Sequence, residues 1–261
     1  MKLIEKTIEI NGKKYQYFDT EVGTKAILFI HGLGTSKNTM PKIFNEFLKD
    51  YRCIFLDMPA HNKLPSYNFD SLDDFAQYVV DFITSTHLIN FSIAGFSFGG
   101  LITLHTQKLL KEQGVNVKAV VWGSPLRQDY LTFKSKAFLT IVDNINKKFY
   151  KKLPQSNTFQ LLVALLGMNI TDSELESFKF FENNMLDKFS SLIPTKNLNT
   201  EGQKIIYIFG TKDPLIKETA FKKTHLYGDY QEKYLVKKGA HYLNKSGKEE
   251  AHKLIKQFLE K

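Results

Sequence analysis

Three residues far apart in the chain, Ser97, Asp213 and His241, are of the types that together activate a hydroxyl. A serine is a weak nucleophile at its own pKa. It needs a base within hydrogen-bond reach, and the base needs a carboxylate to orient it. Ser97 stands in Gly95-Phe96-Ser97-Phe98-Gly99, behind the apolar residues Phe91, Ile93 and Ala94 and ahead of an amphipathic segment. That order predicts strand, sharp turn and helix, a nucleophile elbow. Glycines two before and two after the serine relieve crowding at a strained backbone, and the free N–H groups of the helix favour developing negative charge. Asp213 lies in Gly210-Thr211-Lys212-Asp213-Pro214, behind the predicted strand Lys204–Phe209. His241 lies in Gly239-Ala240-His241-Tyr242, behind Glu232–Val236. Both therefore follow strands, on the same sheet edge as Ser97, and the order Ser, acid, His suits that elbow.

The elements that must position these residues are legible as apolar patterns. Residues 3 to 18 alternate around Asn11-Gly12, a hairpin signal. Ala26–Ile30 and Cys53–Leu56 are continuous apolar runs, as expected of strands covered on both faces. Pro41 to Leu48 reads as a short helix. Ser71-Leu72-Asp73-Asp74 reads as a capping box with Asp in the Glu position, followed by Leu72, Phe75, Ala76, Val79, Val80 and Ile83 at helical spacing. A helix from Phe98 to Gln113 is closed by Gly114, and a strand from Val117 to Trp122 is closed by Gly123-Ser124-Pro125. A last amphipathic helix is expected behind Ser246-Gly247-Lys248-Glu249. Strand and helix alternate, which predicts an α/β class with a mostly parallel sheet and helices on both faces. Residues 126 to 200 break the alternation with helical patterns, including a capping box at Thr171-Asp172-Ser173-Glu174. The expected organisation is a core of residues 1–125 and 201–261 with a helical insertion at 126–200.

Composition narrows the partners. The 261 residues carry a formal charge of +9, which raises nucleic acid or an anionic surface as partners. Arg52 and Arg127 are the only arginines, however, and an Arg-poor chain is ill suited to bidentate phosphate and guanine contacts. Nucleic acid is therefore not expected as a partner. Cys53 is the single cysteine, so an internal disulfide is impossible, and its setting reads as a buried strand. His61, His87, His105, His225 and His252 have no metal-ligand spacing, so no metal is expected. The N-terminal residues lack the apolar core of a signal peptide, and no run of about 18 apolar residues occurs. A cytoplasmic protein is the expectation. Lys147-Lys148-Phe149-Tyr150-Lys151-Lys152 reads as a solvated helix end, or as a point of peripheral lipid contact without stable membrane insertion.

On His31-Gly32-Leu33-Gly34, the Ser97 elbow, Gly210-Thr211-Lys212-Asp213 and Gly239-Ala240-His241, the chain resembles the α/β-hydrolase fold superfamily. More specifically, it resembles serine esterase/lipase-like members with a helical lid between the sixth and seventh strands. The resemblance spans nearly the whole chain apart from the lid sequence. It implies acyl transfer through Ser97, with His241 as base and Asp213 as acid. It also implies an oxyanion hole from the backbone N–H groups of Phe98 and Leu33, with no organic cofactor. Some members place the acid after the sixth strand, where Asp129 would be nearest. His31 is expected to shape the oxyanion loop. Relatives often carry Asp-x-x-Gly-His-Gly after the fourth strand, whereas this chain has Asp57-Met58-Pro59-Ala60-His61-Asn62. Both glycines are replaced, so that loop is expected to be free to take another path.

The substrate implied is a small carboxylic ester with an apolar acyl group under the lid, where Phe159, Leu162 and Leu166 are pocket candidates and Phe178, Phe180 and Phe181 fit either pocket or core. Two alternatives stand beside it. A proline-iminopeptidase-like aminopeptidase would use the same triad, with Glu174, Glu176 or Glu182 receiving the substrate amine. A catalytically silent member would serve as a binding protein. Haloperoxidase or C–C hydrolase chemistry uses similar machinery, whereas a haloalkane dehalogenase needs an aspartate at position 97.

Overall fold

In the central strands side chains alternate between two apolar layers. Ile27 and Phe29 enter one, and Leu28 and Ile30 the other, as the period of two in a strand requires. The computed structural model describes residues 2–137, 191–237, 239–241 and 245–261. Within them eight strands form one sheet: β1 (Ile4–Ile10), β2 (Lys13–Asp19), β3 (Ala26–Ile30), β4 (Arg52–Leu56), β5 (Phe91–Phe96), β6 (Lys118–Trp122), β7 (Lys204–Gly210) and β8 (Gln231–Val236). The spatial order is β1-β2-β4-β3-β5-β6-β7-β8. From β4 to β8 every neighbouring pair is parallel, and β1 and β2 add an antiparallel edge. Parallel strands buried on both faces need no polar alternation, which explains the continuous apolar runs of β3 and β4.

Helices α2 (Leu72–Ser85) and α3 (Phe98–Glu112) cover one face; Phe75, Val79, Leu101 and Ile102 belong to that apolar layer. On the other face α1 (Met40–Ile43) and α5 (Lys245–Glu260) pack with Phe44, Phe47, Ile255 and Phe258. A short α4 (Thr219–Lys223) precedes β8. The start of α2 is a full capping box: the Ser71 side chain accepts from the Asp74 N–H, and Asp74 accepts from the Ser71 N–H. Such a cap contributes about 1 kcal/mol. Asn11 and Gly12 both hold positive φ in the β1–β2 turn, the backbone of a type I′ hairpin.

Two boundaries differ from the sequence pattern. The helix expected over Pro41–Leu48 breaks at Phe44, into α1 and a 3₁₀ turn at Asn45–Phe47. The Phe44 and Phe47 rings pack beside Phe29. The last helix starts at Lys245, one residue before the anticipated signal.

Close approaches fix the sheet's carboxyl edge. A Cβ on Gly99 would overlap the carbonyl oxygens of Ile30 and His31, and a Cβ on Gly95 would overlap the Gly99 carbonyl and the Thr103 hydroxyl. Helix α3 therefore rides directly on the ends of β3 and β5. Gly99→Ala is expected to destabilise the protein by about 1–3 kcal/mol or prevent folding, read as a lower urea midpoint. A midpoint equal to wild type would show that α3 does not sit this close.

Candidate active site

Ser97 sits at the junction of β5 and α3 with φ 53° and ψ −122°. A non-glycine residue in such a conformation carries about 1–3 kcal/mol of strain and persists only where its surroundings hold it. Here they do. The Ser97 N–H donates to the Trp122 carbonyl at 2.8 Å and the Gly100 N–H donates to the Ser97 carbonyl at 3.0 Å. Ser97 is also the N-cap of a 15-residue helix whose dipole favours an anion at that end.

Two strands further along, the same edge carries a buried pair. His241 Nδ1 lies 2.8 Å from Asp213 Oδ2, with both side chains almost fully buried. The other carboxylate oxygen, Oδ1, accepts the backbone N–H groups of Leu215 at 2.8 Å and Ile216 at 3.1 Å. Both oxygens are thus aimed, one into the following turn and one at the imidazole. Because a carboxylate only accepts, Nδ1 carries the hydrogen and Nε2 the lone pair. The Lys212 N–H donates to Gly239 O, tying the two loops together. Gly210 lies so close under Gly239 that a side chain there would overlap its carbonyl. The Phe96 ring stands 5.0 Å from the His241 ring. Gly123, at φ 57°, backs the pair: a Cβ there would lie 3.5 Å from His241 Nδ1 and 3.8 Å from Asp213 Oδ2.

The structure therefore joins Asp213 to His241. Asp129 is drawn elsewhere, in a two-pronged pair with Arg127 at 2.8 and 3.0 Å and a further contact to Lys223 at 3.4 Å. Desolvation raises its carboxyl, but the hydrogen bonds and charges of Arg127 and Lys223 together outweigh it and hold the group below the usual range.

The loop Gly32–Gly34 lies against the elbow: a Cβ at Gly32 would come within 3.0 Å of Ser97 Cβ and 3.3 Å of the Phe96 ring. Among the described residues the Leu33 N–H has no acceptor. Beneath the loop is a buried polar network that sequence reasoning did not assemble. His31 Nδ1 donates to Gly32 O at 2.8 Å, and its Nε2 accepts the Met58 N–H at 2.9 Å. His61 Nδ1 donates to Pro59 O at 2.8 Å, and its Nε2 accepts the Gly34 N–H at 3.0 Å. Asp57, wholly buried, accepts from the Lys37 N–H at 2.7 Å, Lys37 Nζ at 2.9 Å and Asn62 Nδ2 at 2.7 Å. Lys37 Nζ also reaches Glu5 at 3.2 Å. Asp57 closing an apolar strand was the one available signal; nothing local pairs it with Lys37, 20 positions earlier.

Ala60 and Asn62, standing where the resembling family carries glycines, hold φ 66° and 48°. The replacements have therefore not removed left-handed backbone from this loop. The pocket candidates Phe159, Leu162 and Leu166, the carboxylates Glu174, Glu176 and Glu182, the aromatics Phe178, Phe180 and Phe181, and the basic run Lys147–Lys152 lie outside the described residues. Among the described residues no group of three or more His, Cys, Asp or Glu is placed to hold a metal ion, and no helix is long and apolar enough to cross a membrane. Cys53 is buried, and desolvation pushes its thiol up to about 12.

A parallel sheet with an elbow serine at one strand end and a histidine–aspartate pair two strands away defines the α/β-hydrolase fold. The chain belongs to the alpha/beta hydrolase family, whose model matches residues 27–250. It is 33% identical over 103 residues to (E)-2-((N-methylformamido)methylene)succinate hydrolase of Acinetobacter baylyi, covering 39% of each chain. Putative esterase/lipase 2 of Mycoplasma genitalium is 27% identical over 144 residues, 53% of each chain. These matches span from about two fifths to about half of the relatives' own length. Among solved structures, an esterase from Exiguobacterium antarcticum superposes with a TM-score of 0.77 at 14% identity, over 99% of this chain and 100% of that one, a likeness of fold.

Burial depresses three imidazoles: His31 to about 4, His61 to about 3 and His252 to about 4, chiefly by desolvation. The unfolded chain binds protons at these groups below about pH 6.5, while the folded chain resists until about pH 4. Their contribution to stability is complete above pH 6.5 and is lost as pH falls towards 4. At pH 5 the loss is about 2 kcal/mol per histidine. Urea unfolding at pH 7 and pH 5 is expected to show this drop, with proton uptake on unfolding at the lower pH. Equal stability at both would mean the imidazoles are not buried neutral.

Proposed function

We propose that this protein is a serine hydrolase that cleaves carboxylic esters through an acyl-enzyme on Ser97. The observation that carries the reading is the buried His241–Asp213 pair at 2.8 Å on the same sheet edge as a strained elbow serine. The strain at Ser97 supports it, because such a conformation has no structural need at an ordinary strand-to-helix turn.

In the mechanism, His241 Nε2 takes the Ser97 hydroxyl proton as the oxygen attacks the ester carbonyl carbon. Asp213 holds the imidazole in the tautomer with hydrogen on Nδ1 and stabilises the imidazolium that forms. The N–H groups of Leu33 and Phe98 receive the oxyanion, aided by the N-terminal end of α3. His241 then gives its proton to the departing alcohol. A water repeats the cycle on the acyl-serine, releasing the acid and restoring Ser97. No step calls on a metal or an organic cofactor. An ester is favoured over an amide because the Mycoplasma genitalium relative is named an esterase/lipase. The physiological setting proposed is the cytoplasm, with a small ester as partner and an apolar acyl chain housed by residues 126–200.

A fluorophosphonate probe is expected to label the wild type once and Ser97→Ala not at all. Asp213→Asn should lower kcat on a p-nitrophenyl ester by about 10⁴-fold, while Asp129→Asn stays within about twofold. Loss on Asp129→Asn instead would move the acid to that residue. Turnover of aminoacyl-naphthylamides without ester turnover would make the protein an aminopeptidase, and no label with no turnover would make it a silent binding protein.

A further inference from the structure

We propose that His61 is a positioning residue for the oxyanion-hole loop, accepting the Gly34 N–H and so leaving the Leu33 N–H as that loop's donor to the substrate oxygen. The inference rests on the acyl-transfer reading above. His61 lies in the loop after β4 and Gly34 in the loop after β3, 27 positions away. A carbonyl oxygen can only accept, so the 2.8 Å contact of His61 Nδ1 with Pro59 O puts the ring's hydrogen on Nδ1. Nε2 is then an acceptor, and the Gly34 amide 3.0 Å away is its donor. Two consecutive amides, Leu33 and Gly34, face this corner of the fold. One is taken by the imidazole, and the other has no acceptor among the described residues.

His31 completes the brace in the opposite sense. Its ring belongs to the first loop and accepts the Met58 N–H of the second, while its Nδ1 donates to Gly32 O. The two rings meet edge to face at 4.8 Å. The loops are thus cross-linked twice, by side chains of opposite origin, directly behind the glycine that lies against Ser97. The task needs a rigid side chain with a donor and an acceptor on separated atoms. A hydroxyl is too short for it, and a lysine cannot accept. Asp57 and Lys37 anchor the far end of the same loop, whereas His61 holds the Gly34 amide next to Leu33. An oxyanion donor misplaced by about 1 Å costs on the order of 10²-fold in rate.

The experiment compares wild type, His61→Leu and His61→Gln on p-nitrophenyl butyrate, with fluorophosphonate labelling and melting temperature measured in parallel. The Gln amide oxygen reaches the Nε2 position, whereas Leu fills similar space without an acceptor. His61→Leu is expected to lose about 10- to 100-fold in kcat with KM within about twofold, and His61→Gln to recover most of the loss. If His61→Leu does not fold, His61→Asn, whose shorter amide falls short of Gly34, takes its place with the same expectation. Wild-type kcat in His61→Leu, a loss confined to KM, or a His61→Gln as impaired as the Leu variant would overturn the inference alone. A wild type that neither turns over ester nor takes the probe would overturn the acyl-transfer reading, and this inference with it.

Discussion

Among the described residues, Gly99 approaches the end of β3 so closely that no side chain fits between helix α3 and the Ile30 and His31 carbonyls. Everything at the candidate site depends on that absence of a Cβ. It brings the N-terminal turn of α3 onto the sheet and forces the chain to reverse sharply at Ser97. It also brings the loop after β3 against the elbow, so that Gly32 and Ser97 become neighbours. Two glycine contacts thereby set the distance between Ser97 and the loop after β3. The remaining partners arrive by strand register, since β6 and β7 lie next in the parallel array and their ends carry Gly123 and Asp213.

Electrostatics divides the site into two parts with different demands. At the histidine–aspartate pair, both carboxylate oxygens are occupied and the imidazole is oriented. The Nδ1 of His241 faces Asp213 Oδ2, and Oδ1 is taken by two backbone N–H groups. Beneath the loop after β3, His31 and His61 each commit both nitrogens to backbone groups, and burial keeps the rings neutral. The same side chain thus faces a carboxylate in one place and braces two loops in the other.

Much of this was legible in the residues. The Ser97 elbow, the post-strand positions of Asp213 and His241, and the capping box at Ser71 are local signals. Each depends on neighbours within five positions, and each stands in the structure with the expected backbone. The parallel sheet was legible because β3, β4 and β6 are apolar on both faces. What escaped were pairings over distance. Nothing near Lys37 announces that its ammonium will be buried against Asp57, and nothing near His61 announces its bond to the Gly34 N–H. The helix boundary at Phe44 has no local signal, because Pro41 to Leu48 has helical composition throughout.

The left-handed residues Ala60, Asn62 and Lys63 carry a wider consequence. Three positive φ angles within four non-glycine residues mean the 57–63 segment has no local preference for its own shape. An isolated peptide of this sequence would spend little time in it. The shape depends on Asp57 and His61 being held from outside the segment, by Lys37 and by the Gly34 N–H, which requires β3 and β4 to be paired. This loop is a record of finished assembly. It takes form when the sheet is complete, and with it the floor of the candidate site.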